Sequence, residues 1–326
     1  MVNESIKVGN IELNSRIIMP PIATSKSTED GKVTEELIKY YGERAANSHV
    51  GMIITEHSYI SLQGKARENQ MSIASDDDVA GLSKIVAEIH KHGTKAIAQL
   101  NHAGGAAPTR VTGCVPVSAS GITPPTRIPM GDGVTPEALS VEEIAGIVKD
   151  FAAAAKRAKA SGYDGVEIHS AHAYLLNQFY SPLINQRTDE YGGSLDNRLQ
   201  IHREVIAAVR KAVGNKFVIA LRLGGCDYRE GGSTIEDSVY AAKVFEKAGI
   251  NLLDISGGLC FFMREGHDEP GYFQDMTSEI KKEVSIPVLL TGGVKTLADA
   301  EELLEKGAAD LIGVGRELMK NPRWEE

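Results

Sequence analysis

The feature that most limits what this chain can become is a repeated unit. A helical stretch loses its pattern at glycine or a small polar residue, a short turn follows, and then comes a run of β-branched or apolar residues. The unit recurs at residues 45–57, 90–102, 158–169, 214–225, 246–258, 285–293 and 305–316, and the apolar run at 16–23, stopped by Pro20-Pro21, supplies an eighth strand. Strands that alternate strictly with helices pair in parallel and read as near-continuous apolar runs, because helices cover them. Eight such units favour closure as a (β/α)8 TIM barrel over an open sheet. No G-x-G-x-x-G opens the first unit, which removes the main reason to expect a dinucleotide-binding sheet. With no linker or low-complexity segment, residues 1–326 are expected to form a single domain. Residues 6–13 read as a small hairpin about Gly9-Asn10. Ile144, Ile147, Val148, Phe151 and Ala155 form one helical stripe and Leu297, Ala300 and Leu304 another, while Ser140 and Ser194 are expected N-caps.

Composition narrows the function classes. A net charge of -9 argues against a general nucleic-acid or anionic-membrane surface. No apolar run is long enough to span a bilayer, and residues 1–10 lack the basic-then-apolar start of a secretory signal, so a cytoplasmic location is expected. Cys114, Cys226 and Cys260 are far apart and form no CxxC pair, which speaks against a disulfide framework, a zinc ribbon or an iron–sulfur cluster within the chain.

Polar residues and glycines gather at the carboxyl ends of the expected strands: Pro21 to Thr24, Glu56-His57, Gln99 to His102, His169 to His172, Arg222, Gly257-Gly258, Gly292-Gly293 and Gly315-Arg316. That end is where barrel active sites are built, and the two long connections, 103–139 and 173–194, leave from it. Paired glycines are either tight turns or places where backbone N–H groups approach an anion. Three pairs at consecutive late strands, closed by Arg316, point to a phosphorylated cofactor. His169, His172 and Tyr174 leave one strand end together; imidazoles and a phenol suit polarising a carbonyl and delivering one proton. His172 could alternatively be a core histidine, and the histidine pair a zinc site. Zinc needs a third ligand, and Glu167 is expected in the barrel wall, out of phase with them. His57, His90, His92, His202 and His267 read as surface or loop residues without a role, and residues 187–193 as a turn held by local ion pairs.

The segment GYDGVEIHSAHAYLLNQFYSPLINQRTDEYGGSLDNR, with NSRIIMPPIATS, IAQLNHAGG, Arg222, LLTGGV and LIGVGREL in the same order, closely resembles the Old Yellow Enzyme family of FMN-dependent oxidoreductases. The pattern looks most like the 2,4-dienoyl-CoA reductase and 2-enoate reductase branch. The resemblance covers nearly the whole chain. It implies that Pro21, Ile22 and Ala23 lie along the flavin, that Gln99 meets its pyrimidine edge and Arg222 its N1–C2=O end, and that Gly292, Gly293, Gly315 and Arg316 hold the phosphate. Glu56 and Gly258 complete the expected cofactor set, and Thr24 joins His169, His172 and Tyr174 in the substrate set; no metal is expected. It further implies that NADH or NADPH reduces the flavin, that a hydride passes from flavin N5 to Cβ of an enone, enoate or enoyl thioester, and that Tyr174 protonates Cα while His169 and His172 hold the carbonyl.

The chain departs from the family pattern at Ala23, where many members carry a Thr or Cys that bonds flavin O4. A lower flavin potential is expected. The iron–sulfur-bearing branch continues past the barrel, whereas this sequence stops at Glu326. Hence an alternative expectation is an electron-transfer module of a larger iron–sulfur flavoprotein, and a third is a flavin-free zinc hydrolase. A CoA thioester would call on Lys26, Arg110, Arg127, Arg229 or Arg264 at the mouth. The oligomeric state stays open, with a homo-oligomer allowed.

Overall fold

The structure, a computed structural model, describes residues 1–126 and 130–325; Arg127 lies outside the described residues. In chain order the elements are β1 (Ile6–Val8), β2 (Ile11–Leu13), β3 (Ile17–Met19), α1 (Glu35–Ala45), β4 (Val50–Tyr59), α2 (Val79–His90), β5 (Lys95–Asn101), α3 (Thr109–Thr112), β6 (Val117–Ser118), β7 (Glu137–Ala138), α4 (Val141–Ala160) and β8 (Gly165–Ser170). The second half adds α5 (Leu175–Tyr180), α6 (Leu195–Arg198), α7 (Gln200–Val213), β9 (Val218–Cys226), α8 (Ile235–Ala248), β10 (Leu252–Gly257), α9 (Gln274–Lys281), β11 (Val288–Thr291), α10 (Leu297–Glu305), β12 (Leu311–Gly313) and α11 (Arg316–Lys320).

Strands β3, β4, β5, β8, β9, β10, β11 and β12 close into one barrel in that order, with β12 returning to β3. Neighbouring barrel strands pair in parallel, as at Ile97↔Gly165 and Ile312↔Ile17. The first strand is shorter than the 16–23 run because prolines at 20 and 21 cannot donate to a ladder.

Two apolar compartments result. The larger lies between barrel and helices and takes up the α4 stripe of Ile144, Ile147, Phe151 and Ala155. The smaller fills the barrel's interior with Ile18, Met52, Ile54, Ile97, Val218, Ala220, Leu252, Leu289 and Leu311, and Val8 and Leu13 of the β1–β2 hairpin join it. The hairpin therefore plugs one end of the barrel, anchored where Asn10 Nδ2 donates to the Lys216 carbonyl (3.0 Å). Burying such side chains contributes about 1.5–3 kcal/mol each.

Helix starts follow local chemistry. Ser140, Thr234 and Thr296 each form a capping box with the acidic residue three positions on, and Ser194 caps α6. Among the described residues no helix is long and apolar enough to cross a membrane.

Candidate active site

Above the apolar plug the barrel interior turns polar. Gln99, Glu167, Arg222 and Asp254 form a buried layer there. Gln99 Nε2 donates to Glu167 Oε1 (2.9 Å), and Arg222 Nε stands 3.1 Å from Asp254 Oδ2, too poorly aligned for a hydrogen bond. Glu167 is thus inside the barrel and not in its wall: it is two residues from His169, and a strand returns to the same face every second residue. Burial, with the Asp254 charge beside it, raises the Glu167 carboxyl well above its usual range; burial also raises Asp254. Two carboxyls against one guanidinium are accommodated by keeping Glu167 protonated.

At the carboxyl end of β8 the chain turns abruptly. His172 and Ala173 both take left-handed backbone angles (φ 57° and 58°), uncommon for residues with a Cβ. The turn is held by Ala173 N–H donating to Asn177 Oδ1 (2.9 Å) and by His172 N–H donating to the Gly257 carbonyl (3.3 Å). It brings His169 within 5.2 Å of His172 and 5.1 Å of Tyr174, ring centre to ring centre. The Ala171 N–H donates to His169 Nδ1 (3.2 Å), so a neutral His169 carries its proton on Nε2 and can donate from there. His172 Nε2 bonds Ser256 Oγ (2.7 Å). Burial holds both imidazoles well below their ordinary pKa, with Arg222 adding to the effect, so both are neutral at physiological pH. The Tyr174 hydroxyl has no partner among the described residues, and burial raises its pKa.

A third imidazole corrects the surface reading of His57. Its side chain is buried, 5.3 Å from the Tyr174 ring and 6.1 Å from His169. Amide groups of Gln70 and Asn101 both lie 3.1 Å from Nδ1 as donors, which leaves the proton on Nε2; burial and then the Arg67 charge hold the ring's pKa down to about 3. The reason it was missed is local: the β4–β5 register shifts between Thr55 and Ser58, and such an irregularity re-aims a side chain that alternation would send elsewhere. His202 is likewise a buried residue, bonded to Ser170 Oγ (2.7 Å) behind β8, and not a surface one.

The other expected site residues fall around the same mouth. Pro21, Ile22 and Ala23 follow β3, and Thr24 binds the Glu56 carboxylate through both its N–H (3.1 Å) and its hydroxyl (2.6 Å). The late glycines serve the chain's own packing: a Cβ at Gly292 would stand 2.6 Å from the Tyr272 ring, and one at Gly258 would strike the Asp227 carboxylate. Gly315 is roomier, and Arg316, exposed and without an ion pair among the described residues, lines a cleft of about 710 Å³ together with Lys295 and Tyr272. Of the mouth cations, Lys26 pairs with Glu36, Arg110 with Glu68 and Arg264 with Asp275, while Arg229 donates to the Pro125 carbonyl.

These residues fit a flavin mononucleotide. Gln99 Oε1 accepts no hydrogen bond among the described residues and Arg222 has donors to spare, which matches an imide edge that both accepts and donates; Arg316 and Lys295 supply cations for a phosphate. Among the described residues no three His, Cys, Asp or Glu side chains converge as metal ligands would.

Comparison with known proteins gives the same direction. The model of the NADH:flavin oxidoreductase / NADH oxidase family matches residues 3–326. The chain is 38% identical over 321 residues to an NADPH dehydrogenase of Halalkalibacterium halodurans, covering 98% of this chain and 91% of that one. It is 37% identical over 325 residues to an NADH oxidase of Thermoanaerobacter brockii, covering 98% of this chain but only 49% of that protein, so it spans about half of that relative's length. An Old Yellow Enzyme homologue from Zymomonas mobilis superposes with a TM-score of 0.86 at 29% identity, over 98% of this chain and 90% of the other.

Proposed function

The chain belongs to the NADH:flavin oxidoreductase / NADH oxidase family, the Old Yellow Enzyme family of FMN-dependent, NAD(P)H-driven oxidoreductases, and from that premise we propose that it reduces C=C bonds conjugated to a carbonyl. The observation that carries this reading is the neutral His169 Nε2–H beside His172 and the unpartnered Tyr174 hydroxyl, over a polar barrel mouth. In this reading residues 1–326 act as one FMN-binding unit, held by Pro21, Ile22, Ala23, Glu56, Gln99, Arg222, Gly258, Gly292, Gly293, Gly315 and Arg316.

FMN, when held by these residues, would supply the hydride needed at Cβ, with NADH or NADPH as its source. His169 and His172 donate hydrogen bonds to the carbonyl oxygen. Those bonds strengthen as the oxygen gains enolate charge, so they favour the transition state over the substrate; one such donor is worth about 2.7–4 kcal/mol. Tyr174 gives its proton to Cα and recovers one from solvent. Enones, enoates and enoyl thioesters all offer the carbonyl this arrangement needs.

The test starts with the visible spectrum of the FMN-loaded protein before and after anaerobic NADH or NADPH. Bleaching by either, followed by return of the colour on adding an enone, is the expected result. A flavin band that dithionite bleaches but neither nucleotide does would favour an electron-transfer role instead. His169→Ala with His172→Ala should weaken binding of an enone to the oxidised flavoprotein by at least about 10-fold, read from the flavin spectrum. Unchanged affinity would defeat the assignment.

A further inference from the structure

Residues 61–70 link β4 to the segment before α2, and this stretch is pinned at nearly every position. Ala103 N–H donates to the Gly64 carbonyl (2.9 Å), Lys65 Nζ donates to the Glu29 carbonyl, and Ala66 N–H donates to Gln70 Oε1 (2.6 Å). Glu68 pairs with Arg110, and Asn69 Nδ2 donates to the Ser27 carbonyl (2.8 Å) from a left-handed backbone (φ 52°). Gln70 closes the loop: its amide donates to the His57 carbonyl (3.0 Å) and to Nδ1 of the same residue (3.1 Å). Ala66 packs with Tyr174 against Ala103, Ala106 and Ala107, so the loop lies against the cluster of the histidines and the tyrosine.

Arg67 sits in the middle of this pinned stretch, and its own side chain is the exception. Nε and Nη2 are both buried, and neither has a hydrogen-bond partner among the described residues. These two nitrogens share one edge of the guanidinium, the edge that meets a carboxylate with two parallel N–H···O bonds. A half-buried cation whose bidentate edge is buried and unpaired is costly, and a fixed loop that presents one is preorganised for an anion. No carboxylate among the described residues takes the place: Glu56 is engaged by Thr24, and Glu68 points to Arg110. The loop that carries Arg67 packs against Tyr174 through Ala66 and bonds His57 through Gln70, and the positive charge of Arg67 is felt by Tyr174, His57 and Glu56. His57, with Nδ1 occupied by two amides, offers its Nε2–H as a donor.

We propose that Arg67, assisted by His57, is the subsite for a free carboxylate on the substrate, so that the compound reduced is an unsaturated carbonyl compound bearing a second, anionic group. This rests on the carbonyl-binding role of His169 and His172 proposed above. The ordering follows from the pocket: the ketone, aldehyde or thioester carbonyl lies at the His169–His172 end, and the carboxylate lies past Tyr174 at Arg67. A simple enoate, whose only carbonyl is its carboxylate, would leave one end unfilled.

The experiment uses the FMN-loaded, oxidised protein and two probes, 3-oxocyclohex-1-ene-1-carboxylate and its methyl ester, titrated against the flavin spectrum. Wild type should bind the acid roughly 10- to 100-fold more tightly than the ester. Arg67→Gln should remove that preference, leave the ester within about 2-fold of wild type, and leave the FMN dissociation constant unchanged; Arg67→Lys, a point charge without the fork, should restore it only in part. Equal affinities in wild type would overturn the proposal, as would a loss in Arg67→Gln that is the same for both probes or is explained by weaker FMN binding. Ester binding that depends on His169 and His172 without any preference for the acid would refute the Arg67 subsite alone. Ester binding that ignores both histidines would refute the carbonyl-binding role, and the acid preference then judges Arg67 by itself. Failure of both probes to bind overturns both.

Discussion

His172 and Ala173 adopt the left-handed backbone immediately after β8, and this is the conformation that turns Tyr174 back over His169. Strain of this kind costs of order 1–3 kcal/mol per residue and persists only where surrounding bonds over-determine it. Here Asn177 and the Gly257 carbonyl do so. The consequence at the residue scale is that Tyr174 is placed by backbone and not by its own hydroxyl, which has no partner among the described residues to lose. Tyr174→Phe should therefore leave fold and flavin reduction by NADPH unchanged, while slowing re-oxidation of the reduced protein by an enone roughly 10²- to 10⁴-fold. Stopped-flow measurement of the two half-reactions separates them. Equal rates for Phe and Tyr in the enone step would remove Tyr174 as the proton donor.

Among the elements, the long connection after β5 shows how an irregular segment is kept against a regular one. Its paired strands β6 and β7 are two residues each, too short to hold by themselves. Arg187 supplies the tie: Nη1 donates to the Ala119 carbonyl (2.9 Å) and the Leu139 carbonyl (2.6 Å), while Nε and Nη2 bind Asp189 (3.0 Å and 2.5 Å). The expected turn of local ion pairs at 187–193 is thus also the staple of the connection beside the pocket. Arg187→Ala should cost the connection about 2 kcal/mol of local stability. Amide exchange at residues 117–118 and 137–138 should then quicken by roughly 30-fold with β8 and β9 unaffected. Uniform acceleration across the barrel would mean instead that Arg187 supports the whole fold.

For the whole molecule, the buried histidines set the response to acid. Burial holds His57 and His202 to about 3 and His102 to about 4, against 6.5 for a free imidazole. His169 and His172 are lowered in the same direction. Below that free value the unfolded chain takes up protons that the folded chain refuses, so stability present above it drains away as the pH falls toward the folded values. Each histidine contributes about 1.4 kcal/mol per pH unit, hence roughly 4 kcal/mol per unit for the three with assigned values. Glu167 and Asp254, raised by burial, act with the opposite sign and offset part of this. Urea unfolding of the flavin-free protein should show a midpoint that falls steadily from about pH 6.5 to about pH 5. A flat midpoint would show that these imidazoles reach water.

The sequence by itself determined the architecture, because a barrel of this kind is periodic: apolar strand cores recur eight times, and capped helix starts and proline or glycine stops recur between them. It also brought His169, His172 and Tyr174 to notice, since they leave a single strand within six residues of one another. What only the tertiary structure decided depends on non-local geometry. Glu167 faces inward toward Arg222 and Asp254 of neighbouring strands, His57 is re-aimed by a register shift against β5, and the late glycines owe their missing side chains to Tyr272 and Asp227 as much as to any ligand. Arg67 is the extreme case. Nothing in a polar loop marks one arginine as different from the next; the mark is that its neighbours are bonded and its own fork is buried with nothing among the described residues to hold.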